Sequence, residues 1–404
     1  MYFQKLKIIK VSFRKRKLKF MNIKKLILPL VVLVVVGFTF SWVTNSFVGG
    51  ETKYNPRNVL NEKGFSGAIE WLNNRRADLQ TGEVSAEDRA NALNNYLTFH
   101  NQQTRSSLSL DWIEMGPNNV GGRTRAILFD RTNPNIMFAG AVSGGLWKST
   151  TGGSSWNQVP GMEFLIIGSI CQTVNGDIYI GTGEGFTVSV STSGFWGQGI
   201  YKSTDGGNSF QVIPSTWDGT AATINAYKAV YSLAAHPTNP LKLYAGTQQG
   251  LRVTEDGGLT WSNPITGTDA NQRATCVKVS TDGNTVIAAV NNHVYVCNTG
   301  DDLFVKKSAN SAGMVPTSVT RIELSVAPSN SNYMYCLAAS SNGGFNDIYQ
   351  SKDKGETWNP VINSSSEAVQ IFGSNNQGWY DNVIAAYPND PERFIAGGVD
   401  VWHW

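Results

Sequence analysis

Charged residues are scarce in this chain, since Asp, Glu, Lys and Arg make up only 16% of its 404 residues. That fraction argues against a disordered chain or a coiled coil, both of which are rich in charge. Acidic residues are absent from the first 25 positions, which hold ten of the 33 basic residues. The remainder has 23 basic and 30 acidic residues, a balance of −7, so nucleic acid is not expected as a partner.

Cysteine and histidine are also few, and neither type forms a metal-binding motif. The four histidines lack metal-ligand spacing, and the four cysteines (Cys171, Cys276, Cys297 and Cys336) include no C-x-x-C pair. We therefore expect no metal and no cofactor. Each cysteine lies in a β-like run and is interpreted as a small buried hydrophobic residue, with a Cys276–Cys297 bridge between neighbouring strands as the alternative.

Common catalytic motifs are missing as well. The chain has no Gly-x-Ser-x-Gly elbow of the kind that carries a serine nucleophile. Residues 181–185 read Gly-Thr-Gly-Glu-Gly, but no helical pattern follows them, which argues against a phosphate-binding loop.

The N-terminus does contain a long apolar run. Residues 26–43 carry no charge and follow directly on Lys24 and Lys25, which is the arrangement of a secretory signal. We assign residues 1–46 to a signal peptide, or to an uncleaved signal anchor, since the run is near the lower length limit for a membrane span. Met21 is the more natural start, so residues 1–20 are read as a mis-assigned start. The remaining chain is then secreted or at the cell surface, with the anchor as its only contact with a membrane.

Residues 47–110 form a different segment with helical spacing. Leu93, Tyr96, Leu97 and His100 make an apolar stripe after a capping-box-like run at residues 85–88. We predict a short helical N-terminal segment without a chemical motif.

From residue 111 onward the sequence repeats itself. Four segments align, at residues 146–156, 200–210, 251–261 and 348–358, and a weaker fifth lies at 294–304. Their Asp position falls at 151, 205, 256, 299 and 353, giving spacings of 54, 51, 43 and 54. A propeller blade of four short strands needs about 40–50 residues. The repeats therefore predict an all-β propeller over residues 111–404.

The repeated pattern S-x-D-x-G-x-[ST]-[WF] suits a tight turn between two strands. Its Asp can accept backbone N–H groups, its Gly adopts a conformation that other residues avoid, and its aromatic residue covers the hairpin. We call this pattern the Asp-box. Structural roles are assigned to Ser203, Asp205, Gly207, Asp256, Gly258, Trp261, Ser351, Asp353, Gly355 and Trp358. In the first copy Thr151 replaces the Asp.

The last repeat is interrupted. Residues 394–402 match the strand that leads into each Asp-box, but no box follows before Trp404. The sequence thus predicts five to six blades in an incomplete ring, truncated in its last blade, and a fragment of a longer protein. Trp147 and Trp402 share a column of the repeat and are predicted to lie in the core.

The Asp-box pattern resembles the BNR repeat of sialidases, sortilin-type propellers and family 74 glycoside hydrolases. The overall sequence is most similar to sortilin-like, BNR-repeat glycosyl hydrolase-type secreted proteins of Bacteroidota. Residues 112–125, 181–185 and 377–381 carry this resemblance, which covers roughly residues 60–404. It implies an extracellular or surface protein, and boxes that lie at the blade periphery. A sialidase is disfavoured, because the Phe-Arg-Ile-Pro start is missing and Arg123 and Arg125 are weak substitutes for an Arg triad.

Candidate chemistry lies where inner strands begin. Alignment on the Asn-Pro turns puts Thr124, Val230, Arg321 and Asp381 in one column. Asp381 is the preferred acid or base, with Glu184 as its partner, because glycosidases need two carboxylates about 5–10 Å apart. The alternative is that Asp381 only forms an ion pair with Arg321 between adjacent blades.

Aromatic residues suited to sugar stacking lie nearby in the sequence. Trp379 and Tyr380 precede Asp381, and Trp196 lies in the long loop 183–199; together with Arg321 they are the predicted substrate-binding residues. Two functions remain. One is an extracellular propeller that binds polysaccharide or surface glycan and acts, if it is an enzyme, as a glycoside hydrolase resembling family 74. The other is a non-catalytic sortilin-like propeller that binds proteins, peptides or surface glycans.

Overall fold

The chain divides into two compact units, Met1–Lys63 and Gly64–Trp404. The computed structural model describes part of the second unit, namely residues 122–404 without 164, 187–195, 218–225, 309–318 and 363–369. Five further positions (91, 92, 94, 95 and 98) are also described, and all five are helical and exposed. The predicted signal, the apolar stripe and the domain boundaries before residue 122 otherwise lie outside the described residues.

Six antiparallel sheets follow one another along the chain, and we call them blades 1 to 6. Blade 1 has β1 (Thr124–Phe129), β2 (Met137–Ala141), β3 (Leu146–Ser149) and β4 (Asn157–Gln158). Blade 2 has β5 (Ile167–Gln172), β6 (Ile178–Thr182), β7 (Ile200–Ser203) and β8 (Gln211–Val212). Blade 3 has β9 (Val230–Ala235), β10 (Leu243–Thr247) and β11 (Gly250–Thr254).

The second half repeats the same order. Blade 4 has β12 (Ala274–Val279), β13 (Val286–Val290), β14 (His293–Cys297) and β15 (Val305–Lys306). Blade 5 has β16 (Val319–Val326), β17 (Met334–Ser340), β18 (Phe345–Ser351) and β19 (Asn359–Pro360). Blade 6 has β20 (Val383–Tyr387), β21 (Asp390–Gly397) and β22 (Val401–His403). Short 3-10 helices lie at Gly267–Asp269 and Gln377–Trp379.

Among the described residues this arrangement is a β-propeller of six blades, within the range of five to six that the repeat spacing predicts. Within each sheet the strands pair in sequence order, and the first strand of each blade contacts the first strand of the next. The hydrophobic core is accordingly divided into clusters between successive blades, from blades 1 and 2 through blades 5 and 6. Each sheet buries both faces against its neighbours, except at the two ends of the series.

Small residues on the second strands let the blades approach one another. A Cβ on Gly140 would lie 2.3 Å from Ile167, and a Cβ on Gly181 would lie 2.5 Å from Val230. These residues face the first strand of the next blade, so a side chain there would push two blades apart. The glycines of the second strands are therefore required by packing.

The Asp-boxes form the turn between the third and fourth strands. In blade 2, Asp205 Oδ1 accepts the Ser203 hydroxyl at 2.7 Å and the Ser209 N–H at 3.0 Å, while Gly207 N–H donates to Ser203 Oγ at 2.9 Å. The other boxes repeat this network around Asp256 and Asp353. The carboxylates are thus fully occupied in holding the turns.

The two divergent boxes keep parts of the network. In blade 1 the Thr151 hydroxyl takes the place of the carboxylate and accepts the Ser155 N–H at 2.9 Å. In blade 4 the carboxylate comes from Asp301, two residues beyond the aligned position 299, and accepts the Leu303 N–H at 3.1 Å. The blade 1 turn also keeps the hydrogen bond from the Gly153 N–H to Ser149 Oγ, at 2.9 Å.

The alternative of a Cys276–Cys297 bridge is wrong. All four cysteines are buried free thiols. Cys276 lies on β12 and packs between blades 4 and 5, whereas Cys297 lies on β14 and packs between blades 3 and 4. The two side chains therefore point to opposite faces of one sheet, and β13 separates their strands.

Blade 6 is exposed where the other blades are covered. Its described part has three strands, and Val383 and Val401 are 57% and 77% exposed. Trp402 is 37% exposed, so the prediction that it lies in the core is wrong; Trp147, in the same column, is half-buried. The reason is that no blade among the described residues covers this face of blade 6, and the ring is incomplete there.

None of the helices that the structure describes has the length and apolarity needed to span a bilayer. The apolar run at residues 26–43 lies outside the described part of the chain.

The Asp-box turns predict a specific sensitivity to acid. Hydrogen bonds from the side chain and backbone of Thr260, and from Thr254, lower the pKa of Asp256 from 3.8 to about 2. Because the folded-state pKa is depressed, the carboxylate stabilises the fold above about pH 4, and that stabilisation is lost as the pH falls towards 2. We expect Asp256→Asn to lower the melting temperature at pH 7, with a difference from the wild type that shrinks between pH 4 and pH 2.

Asp400→Asn is the matched control, because the exposed carboxylate of Asp400 accepts no hydrogen bond from the described residues. Thermal denaturation of the three proteins across this pH range measures the effect. A difference for Asp256→Asn that stayed constant from pH 7 to pH 2 would contradict the prediction.

Candidate functional site at the channel end

The candidate site lies at the end of the propeller where the first strands of the blades begin, and we call this end the channel end. Bulges at the start of β1 and β9 insert Arg125 and Tyr231 as extra residues. A bulge re-aims its side chain away from the regular alternation of the strand. Arg125 and Tyr231 consequently both contact Phe186, which follows β6 of blade 2.

A glycine-rich loop of blade 2 enters this space. A Cβ on Gly183 would lie 2.2 Å from the Lys228 carbonyl oxygen, and a Cβ on Gly185 would lie 2.2 Å from the Tyr231 hydroxyl. Gly183 also has a φ of +95°, which side chains with a Cβ rarely adopt. The glycines of residues 181–185 are therefore explained by their packing against the start of blade 3.

Glu184 is held inside this loop. Its side chain is 2% exposed, its Oε1 accepts the Phe186 N–H at 2.9 Å, and its Oε2 lies 3.9 Å from Arg125 Nε. A buried carboxylate needs such partners, because an unpaired buried charge is strongly destabilising. Glu184 thus positions Phe186 and pairs with Arg125.

Phe186 lies between two guanidinium groups. The Arg125 guanidinium carbon is 4.2 Å from the centre of the Phe186 ring, and that of Arg321 is 3.9 Å away. Tyr231 packs edge-on against the same ring, with 4.6 Å between centroids. Residues from blades 1, 2, 3 and 5 therefore meet around one buried aromatic ring, in a group that we call the Phe186 clamp (Phe186, Arg125, Arg321 and Tyr231).

Backbone carbonyl groups directly before blade 6 accept hydrogen bonds from the Phe186 clamp. The Tyr380 carbonyl oxygen accepts hydrogen bonds from Arg125 Nη1, at 3.2 Å, and from Arg321 Nη1. Arg321 Nη2 also donates to the Asn382 carbonyl oxygen at 3.0 Å. The carbonyl groups on both sides of Asp381 are thereby fixed, while its carboxylate accepts no hydrogen bond from the described residues and is half-buried.

Burial changes the acid–base properties of the clamp. Desolvation and the nearby charge of Arg125 lower the pKa of Arg321 to about 10, so it remains a cation at neutral pH. Desolvation also raises the pKa of Tyr231 to about 12, which keeps its hydroxyl protonated. The site therefore presents fixed cations and neutral hydroxyl groups near Glu184 and Asp381.

The aromatic residues predicted to bind substrate lie around this clamp. Trp196 and Tyr380 pack against the cluster that contains Phe186 and Tyr231. Trp379 ends the 3-10 helix Gln377–Trp379, and its ring centre is 5.5 Å from that of Tyr380. The structure thus brings Trp196, Trp379, Tyr380 and Arg321 together, from blades 2, 5 and 6.

The alternative of an Arg321–Asp381 ion pair is wrong. Arg321 instead pairs with Glu323, whose Oε2 lies 3.0 Å from Arg321 Nη2. The two residues are two positions apart on β16 and therefore lie on the same face of the strand. In addition, β16 is eight residues long, so Arg321 is its third residue, whereas Thr124 and Val230 begin their strands.

Sequence reasoning missed Phe186, Tyr231 and Arg273 as members of the site. Arg273 Nη1 donates to the Gly185 carbonyl oxygen at 3.4 Å, and its guanidinium group lies 6.0 Å from the Tyr231 ring centre. The sequence signal for this region is the pair Arg123 and Arg125, which by itself indicates only a weak substitute for an Arg triad. Among the described residues, no group of three or more His, Cys, Asp or Glu side chains could hold a metal ion.

Comparison with known proteins finds a partial sequence similarity and a similar fold in solved structures. No protein-family model matches the chain. A xyloglucanase from Hypocrea jecorina (strain QM6a) is 27% identical over 190 residues, covering 39% of this chain and 21% of the relative. The chain thus corresponds to about a fifth of that relative's length.

Two solved structures have a similar fold. A GH74 enzyme from Niastella koreensis gives a TM-score of 0.51 at 19% identity, covering 69% of this chain and 44% of that one. An ancestral GH74 enzyme gives a TM-score of 0.52 at 19% identity, covering 70% of this chain and 39% of that one. Likeness at this identity establishes the fold, and fold alone does not determine function.

The Phe186 clamp predicts a measurable coupling between Phe186 and Arg125. Cation–π contacts contribute about 0.5–2 kcal/mol, with the larger values at desolvated sites. We expect the double-mutant cycle of Phe186→Leu and Arg125→Met to give a coupling free energy of about 1 kcal/mol in urea unfolding.

Phe372→Leu is the matched control, since Phe372 is 1% exposed and no guanidinium group of the described residues lies over its ring. Combined with Arg125→Met, it should show additive effects. A coupling between Phe186 and Arg125 no larger than that of the control pair would refute the clamp.

Proposed function

We propose that this chain is an exported propeller that binds polysaccharide at its channel end. The observation that carries the proposal is the group of aromatic rings beside the Phe186 clamp, where Trp379, Tyr380 and Trp196 are all partly exposed. Flat rings next to fixed polar groups suit the faces and hydroxyl groups of sugars. The similarity to a xyloglucanase supports a β-glucan such as xyloglucan as the ligand.

Export is part of the proposal. It rests on the uncharged run at residues 26–43 and the lysines before it, which have the form of a secretory signal or a signal anchor. A polysaccharide ligand would be met outside the cytoplasm, so the two parts of the proposal agree.

The more specific proposal is that the chain hydrolyses the bound polysaccharide, with Asp381 as the acid or base. Its carboxylate is half-buried and accepts no hydrogen bond from the described residues, so it is available to a substrate. The adjacent Asn382 has a buried side-chain amide whose two polar atoms have no partner among the described residues. Both groups therefore have hydrogen-bonding capacity to offer beside the aromatic rings.

A non-catalytic, sortilin-like propeller that binds proteins, peptides or surface glycans is the second candidate. One observation favours it, namely that Glu184, the proposed second carboxylate, is 2% exposed and bonded to Phe186. A glycosidase needs both carboxylates in contact with the sugar or with the attacking water. In this candidate Glu184 only positions the loop.

Binding is tested with soluble xyloglucan in affinity gel electrophoresis. We expect Trp379→Ala to weaken binding about tenfold, because a stacking surface is removed. Trp402→Ala is the control, since Trp402 is partly exposed on the outer strand of blade 6. Equal binding by the wild type and Trp379→Ala would rule out this surface.

Catalysis is tested separately by release of reducing ends from a polysaccharide panel. Asp381→Asn should abolish release while xyloglucan binding and melting temperature remain those of the wild type. Activity retained in this variant would refute Asp381 as the catalytic residue. Binding without reducing-end release by the wild type would favour the non-catalytic candidate.

A further inference from the structure

A cavity lies between blades 3 and 4, beside the channel end. It has a volume of about 410 Å³, within the range of ligand-binding pockets. Its lining includes the side-chain amides of Gln248, Gln249, Asn271, Gln272, Asn291 and Asn292. The remaining lining residue is Arg273, so the described part of the lining has no carboxylate and no apolar side chain.

The walls of the cavity are fixed by the backbone. Asn291 and Asn292 form the turn between β13 and β14, with φ values of 52° and 59°, which Asn tolerates better than most residues. The Asn291 N–H donates to the Arg273 carbonyl oxygen at 2.9 Å. On the other side, the Gln248 N–H donates to the Ala229 carbonyl oxygen at 2.9 Å.

Some of the amides are oriented and others are free. Asn291 Nδ2 donates to Asp269 Oδ1 at 2.7 Å, and Asn292 Nδ2 donates to the Val319 carbonyl oxygen at 2.9 Å. The side chains of Gln249, Asn271 and Gln272 have no hydrogen-bond partner among the described residues. Asn271 and Gln272 are exposed and Gln249 is partly exposed, so the cavity offers both pre-oriented amides and solvent-facing amides.

Two residues that line the cavity, Gln248 and Arg273, contact residues of the candidate site. Gln248 Oε1 accepts the Tyr231 hydroxyl at 2.5 Å, and Tyr231 is part of the Phe186 clamp. Arg273 lines the cavity and also donates to the Gly185 carbonyl oxygen. The cavity and the Phe186 clamp are therefore direct neighbours.

The amide groups of the lining residues favour a hydroxyl-rich ligand. An amide both donates and accepts hydrogen bonds, and so does a sugar hydroxyl group, so six amides suit a hydroxyl-rich ligand. Asp269, whose carboxylate contacts the lining residue Asn291, is buried and is also bonded to Tyr295 and Lys306. Peptide side chains with apolar surface would find no apolar partner in this lining, and a single cation is a poor match for a repeating polyanion.

We propose that the amide-lined cavity between blades 3 and 4 is a subsite for one uncharged sugar unit of the bound polysaccharide. This inference rests on the proposed binding of polysaccharide at the channel end. It adds a named subsite and a preference for neutral over acidic sugars.

The test uses the double variant Gln249→Ala/Gln272→Ala, which removes two side chains without hydrogen-bond partners in the described structure and should not affect folding. Gln211→Ala is the matched control, since Gln211 is exposed on β8 of blade 2. Soluble xyloglucan, polygalacturonate and an unstructured peptide are the neutral, acidic and peptide probes in isothermal titration calorimetry.

We expect the double variant to bind xyloglucan about tenfold more weakly than the wild type, with an unchanged melting temperature, and the control to bind normally. Wild-type affinity in the double variant, combined with weak binding by Trp379→Ala, would refute the subsite and leave the proposed function standing. Tighter binding of polygalacturonate, lost in the double variant, would overturn the neutral specificity. Binding of the peptide alone, or of no probe by the wild type, would overturn the subsite and the proposed function together.

Discussion

The close approach of neighbouring blades is the constraint on which this propeller depends. In each of the first three blades the second strand has a glycine where the first strand of the next blade passes, at Gly140, Gly181 and Gly246, and a Cβ would lie within 2.8 Å of that strand. In blades 4 and 5 the buried residues Ala289 and Ala339 have the corresponding place. Tightly packed interiors do not absorb such overlaps, so small residues recur there with the blade period.

The same constraint shapes the candidate site. Blades 2 and 3 come so close that the loop after β6 needs glycine at its two contacts with blade 3. Gly183 and Gly185 occupy these positions. That path carries Phe186 over the start of blade 3 and between Arg125 and Arg321. The buried ring then holds two cations whose hydrogen bonds fix the backbone around Asp381. The packing between blades therefore also determines the geometry of the site.

The sequence predicts the propeller because its signal is local and periodic. An Asp-box needs only residues within one turn, such as Ser351, Asp353 and Gly355, and its spacing counts blades directly. Arg321 is predicted from its position in the repeat, whereas Trp196 is predicted from the long loop 183–199, and Trp379 and Tyr380 from their place beside Asp381. The Phe186 clamp is not predicted, because its members are 45 to 196 residues apart in the chain and no local pattern connects them. The prediction of an Arg321–Asp381 ion pair is wrong for a related reason. Glu323 lies two residues from Arg321 in the chain and pairs with it instead.

The open side of the ring gives the arginines of blade 1 a second role. Ile127 on blade 1 and Val383 on blade 6 are 60% and 57% exposed, so the outer faces of the two end blades do not pack together. At the channel end, however, Arg123 Nη1 donates to the Tyr380 hydroxyl at 3.2 Å, and Arg125 donates to the Tyr380 carbonyl oxygen. Hydrogen bonds from long side chains can bridge a distance that apolar packing cannot, since packing requires contact over a whole face. The residues that hold Tyr380 in the candidate site are thus the same ones that connect blade 1 to the segment before blade 6.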